Sequence, residues 1–153
     1  MSREIKFRGM RIEDKKWFYG TVVFDEQKDP FIVGNVLESN EEYISLEFWQ
    51  PIIPKTLGQF TGLKDKNGKE IYEGDIVVNN NGGSYHCREM IVCWHDYHAG
   101  WSLATKIENI GHWAIKAGGH YTSSEIPYVP PLAQVNTHYE IIGNIYENPE
   151  LLK

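Results

Sequence analysis

The side chains best suited to chemistry lie close together: His86-Cys87-x5-Cys93-x-His95-x2-His98 places five soft or borderline metal ligands within 13 positions. On a strand Cys93 and His95 share one face and could together hold a zinc ion. The spacing lacks any Cys-x-x-Cys or His-Glu-x-x-His element, and Cys87 would have to reach back from another limb of a hairpin. A buried cysteine is also a serviceable small hydrophobe. No resident metal or other cofactor is therefore expected, with Cys87, Cys93, His95 and His98 the ligands if one exists. Six residues of extended chain hold the two sulfurs ~20 Å apart, against a disulfide limit near ~7 Å, so reduced thiols are expected.

Carboxylates form a second group. Asp65, Glu70, Glu73 and Asp75 could supply a paired acid and base. Neither a nucleophile nor a histidine completes the set, and turn-forming aspartates balanced by Lys64, Lys66 and Lys69 account for them. Glu38, Glu41, Glu42 and Glu47 could imitate a run of phosphates, but four acids suit a solvated loop and strand face better. Cations and aromatics meet at the start of the chain, where Arg3, Lys6, Arg8 and Arg11 accompany Phe7, Trp17 and Tyr19 in a combination that can bind single-stranded nucleic acid. Alternation puts Lys6 and Arg8 on one face and Phe7 on the other, which also describes an edge strand guarded by charge. Among five tryptophans, Trp94, Trp101 and Trp113 exceed what a 153-residue core needs, and tryptophan is a common interface anchor.

The elements that must position these residues read as mostly β. Runs rich in Val, Ile, Phe, Tyr and Trp are separated by glycine and proline, and helical periodicity is missing. Strands are expected at Ile5 to Arg8, Trp17 to Phe24, Phe31 to Val33, Tyr43 to Trp49, Gly58 to Gly62, Asp75 to Asn79, Glu89 to His95, Trp101 to Thr105 and Tyr139 to Tyr146. Asp14-Lys15-Lys16 links the first two as a hairpin. Asn67-Gly68 predicts a type I′ turn with positive φ at both residues. Residues 57–78 read as strand, polar turn, short extended segment and a second turn at Glu73-Gly74-Asp75, with Gly74 at positive φ, a common entry to a small barrel. An exposed loop is expected at 79–84, and a long excursion from Gly118 to Gln134, where Pro130-Pro131 blocks regular structure. Asn148-Pro149 should start a terminal helical turn docked by Leu151 and Leu152.

The formal charge of −6 counts against general affinity for nucleic-acid backbones. Division after Ile76 leaves each part at −3, with 11 basic and 14 acidic residues before it and 4 and 7 after it, so no basic domain is concealed. A composition 41% hydrophobic and 13% aromatic specifies a folded protein. No apolar run reaches the ~18 residues of a membrane span and the start is polar, so a cytoplasmic protein with no membrane partner is expected.

Three blocks carry a family resemblance: Arg3 to Arg8, residues 51–77 with Gly62-Leu63-Lys64-Asp65-Lys66-Asn67-Gly68 and Tyr72-Glu73-Gly74-Asp75-Ile76, and Tyr139 to Leu152. Together they closely resemble the YopX family of phage and prophage proteins. The family residues carried over are Gly62, Lys64, Asp65, Gly68, Tyr72, Glu73, Gly74 and Asp75. The Cys/His cluster matches no motif of the family. The resemblance implies a mainly β fold of antiparallel strands with long loops, including a small SH3-like barrel, with α+β and short helices as the variant. It implies one domain over 1–153, with β subdomains 1–56 and 57–153 as the alternative. It supplies no catalytic activity. The expected function is that of a non-enzymatic accessory protein acting by binding, to itself as a homo-oligomer or to a host or phage protein. The rival functions are a nucleic-acid-binding module in phage replication or packaging and a small metal-dependent enzyme built on residues 86–98.

Overall fold

The computed structural model describes residues 4–79, 89–95, 99–104 and 138–152. Among them are twelve strands: β1 (Phe7–Met10), β2 (Trp17–Phe24), β3 (Pro30–Val33), β4 (Val36–Ser39), β5 (Ile44–Leu46), β6 (Trp49–Pro51), β7 (Gly58–Lys64), β8 (Glu70–Tyr72), β9 (Asp75–Asn79), β10 (Met90–His95), β11 (Gly100–Ala104) and β12 (Tyr139–Asn144). Two single 3-10 turns, Pro54–Thr56 and Pro149–Leu152, complete the described elements. Arg3, the loop at 80–84, Thr105, Trp113 and the 118–134 excursion lie outside the described residues. The chain divides into two compact units, Met1–Gly62 and Leu63–Lys153.

The expected barrel is not formed. The strands pair in open orders: β6-β3-β2-β1-β7-β8, β11-β10-β9-β12, and β4-β5 alone. A barrel requires the first and last strands of one sheet to pair along their length. In the first unit only an isolated bridge, Arg11 to Ile52, links the end of β6 to the end of β1, and it extends into no ladder. The fold class is mainly β, with open antiparallel sheets.

In the first unit β1 pairs antiparallel with β2, Phe7 opposite Gly20, and with β7, Arg8 opposite Gly58. It is thus an interior strand, not the charged edge expected, and it starts two residues later than predicted. Arg8 is buried along with Met10, Ile32, Ile52 and Phe60. The core is pinned by Thr56, whose hydroxyl accepts from the Met10 N–H (2.9 Å) and donates to the Ile53 carbonyl (2.7 Å).

The strand expected at Tyr43 to Trp49 is two strands on one side of a long arm. β3 pairs with β6, Val33 opposite Trp49, and the ladder continues through Gly34 N–H to Phe48 O (2.9 Å) and Glu47 N–H to Asn35 O (2.8 Å). It resumes as β4 on β5, from Val36 opposite Leu46 to Ser39 opposite Ile44, with a bulge between Val36 and Glu38. At the tip the Asn40 side-chain oxygen accepts from the Glu42 and Tyr43 N–H groups, a local turn that asparagine favours.

The second unit is built on β9, which pairs with β10 on one side and β12 on the other. A bulge in β12 places both Ile141 and Gly143 against consecutive residues of β9, Val77 and Ile76, and turns Ile142 outward. Both faces of this sheet are covered. Ile71, Val77, Met90, Val92, Leu103 and Tyr139 form one cluster with Leu63, Trp101 and Ile141 against it. Ile91, Cys93 and Ala104 form the other, packed by Ile145 and Leu152.

Candidate functional site

The family block is a brace between its own turn and the final strand. Gly68 N–H donates to Asp65 O (2.9 Å), closing a four-residue turn, and Asp65 N–H donates to Lys69 O (2.8 Å). Gly68 has φ +82°, whereas Asn67 is not among the residues with positive φ. The turn is therefore type I followed by a left-handed glycine, not the type I′ turn expected. The difference originates in the Asp65 side chain. One carboxylate oxygen accepts from the Asn67 and Lys69 N–H groups (2.8 and 2.9 Å), holding Asn67 in an Asx-type turn, while the other accepts from Ile141 N–H (3.2 Å) on β12. Lys66 N–H donates to Tyr139 O (2.8 Å), and its ammonium pairs with Glu140 (2.6 Å).

Asp65 is only 6% exposed. Burial pushes its carboxyl up, but the backbone donors of Lys69, Ile141 and Asn67, with the charge of Lys69, outweigh it and hold the carboxyl below the ordinary carboxylate range. The second turn is similar. Asp75, 2% exposed, accepts from Tyr72 N–H (2.8 Å), and the Tyr72 hydroxyl donates to Glu70 (2.7 Å). Gly74 has φ +83°, as expected, and its N–H and carbonyl bond Val92 O (2.8 Å) and Ile145 N–H (2.9 Å). A Cβ there would lie 3.1 Å from the Tyr146 ring, a tight contact, so conformation foremost disfavours a side chain at this site. Gly62 also has positive φ, +85°. Glu73 is half-buried and Lys64 exposed at the end of β7. Thus Asp65 and Asp75 are engaged with backbone donors of turns and strands.

The Cys/His cluster is described only in part. Cys93 is buried between Ile91, Ala104 and Leu152, the environment of a small hydrophobe. His86, Cys87, Asp96, His98 and the side chain of His95 lie outside the described residues, so the spacing of the two sulfurs does too. Among the described residues no group of three or more His, Cys, Asp or Glu side chains could hold a metal ion.

The amino-terminal cations and aromatics do meet. The Arg8 guanidinium lies 4.7 Å from the Trp17 ring centroid and that of Arg11 4.8 Å from Phe18. Arg11 also makes a two-pronged contact with Asp14 (2.8 and 2.6 Å) and donates to Gln50 (3.2 Å). The hydrogen bond from Arg11 holds the Asp14 carboxyl well below the usual carboxylate range. These cations brace the β1–β2 hairpin.

Sequence reasoning missed an open apolar groove in the first unit. Alternation puts Val23, Phe31, Val33 and Trp49 on one face of β2, β3 and β6, since Val23 lies opposite Phe31 and Val33 opposite Trp49. With Phe24 and Leu46 they line a groove of about 300 Å³ whose only charged lining residue is Asp25. The Phe31 and Trp49 rings pack against each other in its lining, with centroids 5.4 Å apart. Trp49 is 63% exposed, and the arm beyond it exposes Val36, Leu37, Tyr43 and Ile44. The surplus of aromatics was the available signal, but Trp49 was not among the tryptophans it singled out. A strand exposing apolar side chains has the same composition as one burying them.

A family model described as "YopX protein" matches residues 6–153, nearly the whole chain. The chain belongs to the YopX family. The family is one of phage and prophage proteins. The protein in the crystal structure titled protein EF1440 from Enterococcus faecalis is similar over 99% of this chain and 100% of its own, at 26% identity and a TM-score of 0.58. No curated protein matches the chain. Of the YopX residues carried over from the resemblance, Asp65, Gly68, Glu73, Gly74 and Asp75 lie in or beside the two turns, and Gly62, Lys64 and Tyr72 in strands β7 and β8. Among the described residues no helix is long and apolar enough to cross a membrane.

Proposed function

We propose that this YopX-family protein is a phage or prophage accessory protein that binds another protein and performs no chemistry of its own. The observation that carries this reading is the apolar groove of the first unit, continued by the exposed Val36, Leu37, Tyr43 and Ile44 of the arm. Exposed apolar surface of this extent marks interaction sites on soluble proteins. Engagement of Asp65 and Asp75 by backbone donors supports a structural role for the family turns.

The test uses the tagged full chain and its L37S/I44S variant, whose substitutions fall on exposed residues. A protein co-purified from cells carrying the phage or prophage is identified, purified and titrated against both. Binding by the wild type, weakened about tenfold or more in a variant of unchanged circular dichroism, is expected for anchor residues. Equal affinity for both chains would overturn the assignment to this surface.

Self-association is a second reading, favoured by the β11 end of the four-stranded sheet. Among the described residues β11 pairs only with β10, and a strand with unpaired backbone groups can add a strand of another copy. Sedimentation velocity of the full chain over a range of concentrations tests it, and a monomer throughout would dismiss it.

A further inference from the structure

The charge of the chain is concentrated in the stretch that forms the groove and the arm. Residues 23–49 hold Asp25, Glu26, Asp29, Glu38, Glu41, Glu42 and Glu47 against the single cation Lys28, a net of −6, equal to the formal charge of the whole protein. All eight of these side chains are exposed. The same stretch carries Val23, Phe24, Val36, Leu37, Tyr43, Ile44 and Trp49, the majority of the large hydrophobic residues exposed among the described residues. The stretch that forms the groove and the arm is therefore rich in exposed apolar side chains and exposed acids, and carries one cation.

We propose that the groove and arm dock a polypeptide segment that combines aliphatic or aromatic side chains with flanking lysines and arginines. This rests on the protein-binding reading above and adds the chemistry of the partner. The apolar side chains fill the groove, whose volume of about 300 Å³ takes side chains but not a folded element. The cations meet the carboxylates of the β2–β3 turn and the arm. Charge complementarity of this kind steers encounter and rejects wrong partners. A second copy of this chain is such a wrong partner, because most of its own exposed apolar residues lie in the same acidic stretch and docking arm on arm would oppose two net charges of −6. The acids are not committed to structure throughout: Asp25 braces its turn through Asp29 N–H (2.8 Å) and Glu47 holds Asn35 (2.9 Å), whereas Glu26, Glu41 and Glu42 are exposed on the turn and the tip.

The experiment measures binding of three fluorescent peptides of equal length to the full chain by anisotropy at low salt: alternating leucine and lysine, alternating leucine and glutamate, and alternating serine and lysine. The leucine–lysine peptide is expected to bind at least about tenfold more tightly than either other, and more weakly as salt rises. The E26Q/E41Q/E42Q variant and the V23S/W49S variant, each checked for unchanged circular dichroism, should each lose about tenfold for that peptide. Failure of the leucine–lysine peptide to bind, or equal binding of the leucine–glutamate peptide, overturns the basic-segment inference. The protein-binding reading then stands or falls separately on the titration of the identified partner against L37S/I44S. Equal binding of the serine–lysine peptide, or full affinity in V23S/W49S, overturns the groove as the docking site. A dimer at low salt that V23S/W49S abolishes would make a second copy the occupant and also overturn the proposal.

Discussion

Asp65 ties the family turn to the final strand of the second unit. Its two oxygens serve different masters: one organises the turn at Asn67 and Lys69, and the other receives Ile141 N–H from a strand 76 positions away. Asparagine at 65 can offer only one oxygen, so its amide would face an N–H donor on one side. Asp65→Asn is expected to destabilise by about 2 kcal/mol and Asp65→Ala by about 3 kcal/mol, the range for buried donors left unmatched. Urea denaturation measures both. Because the folded carboxyl lies below its unfolded value, its stabilisation is fully present above the unfolded pKa of roughly 4 and is lost as pH falls through the folded value. The difference between wild type and Asp65→Asn should therefore be constant from neutral pH down to about pH 5 and shrink below about pH 4. An unchanged difference at low pH would show that the ionised carboxylate is not the source of the effect.

At the scale of the element, the terminal turn shows how a short segment can close a core. Asn148 and Pro149 lead into Pro149–Leu152, where Leu151 N–H donates to Asn148 O (3.1 Å) and Leu152 packs on the cluster of Ile91, Cys93 and Ala104. Leu152→Asp should destabilise by about 2 kcal/mol or more by placing a carboxylate against apolar neighbours, while Glu150→Gln, on an exposed residue, should stay within about 0.5 kcal/mol. Equal melting temperatures for the two would mean that the turn does not dock. Proline and a leucine made the start and the contact of this element legible, but the Asn148 side chain expected to cap it accepts instead from Asn144 N–H (3.3 Å). β2 and β9 were legible for a similar reason, as β-branched and aromatic runs bounded by turn residues, and their limits were read correctly. Long-range relations were less accessible. The Asn67-Gly68 turn type depends on Asp65 reaching β12, and the interior place of β1 depends on β7, some fifty residues later. β4 was missed because Val36-Leu37-Glu38-Ser39 is short, bounded by asparagines and exposed throughout, so neither alternation nor burial marks it. Closure into a barrel was inferred from turns, which fix local reversal but not whether the first and last strands of a sheet meet. The groove was invisible for a related reason: Val23, Phe31, Val33 and Trp49 acquire a common face only through the pairing of β2, β3 and β6.

For the molecule as a whole, the acidic balance acts as a brake on the association of its own apolar surface. The formal charge is −6 at pH 7 and the isoelectric point is near 5.5, so copies repel one another at neutral pH, most strongly where residues 23–49 approach their counterparts. That repulsion is screened by salt, with a Debye length falling from about 10 Å at 0.1 M to about 3 Å at 1 M, whereas burial of apolar side chains is not weakened by it. At pH 8 the weight-average mass from light scattering is therefore expected to rise as sodium chloride is raised toward 1 M, and L37S/I44S, which removes two exposed arm residues while leaving every charge in place, should suppress the rise. Association through attraction between unlike charges would show the opposite trend, since salt would dissolve it. Pairing of sheet ends in the second unit would depend little on salt and would be equal in both chains. A mass that stays constant in the wild type, or that rises equally in the variant, would mean that the arm is not the surface the charge protects, and that its exposed leucine and isoleucine are only incidental to a well-solvated β-hairpin.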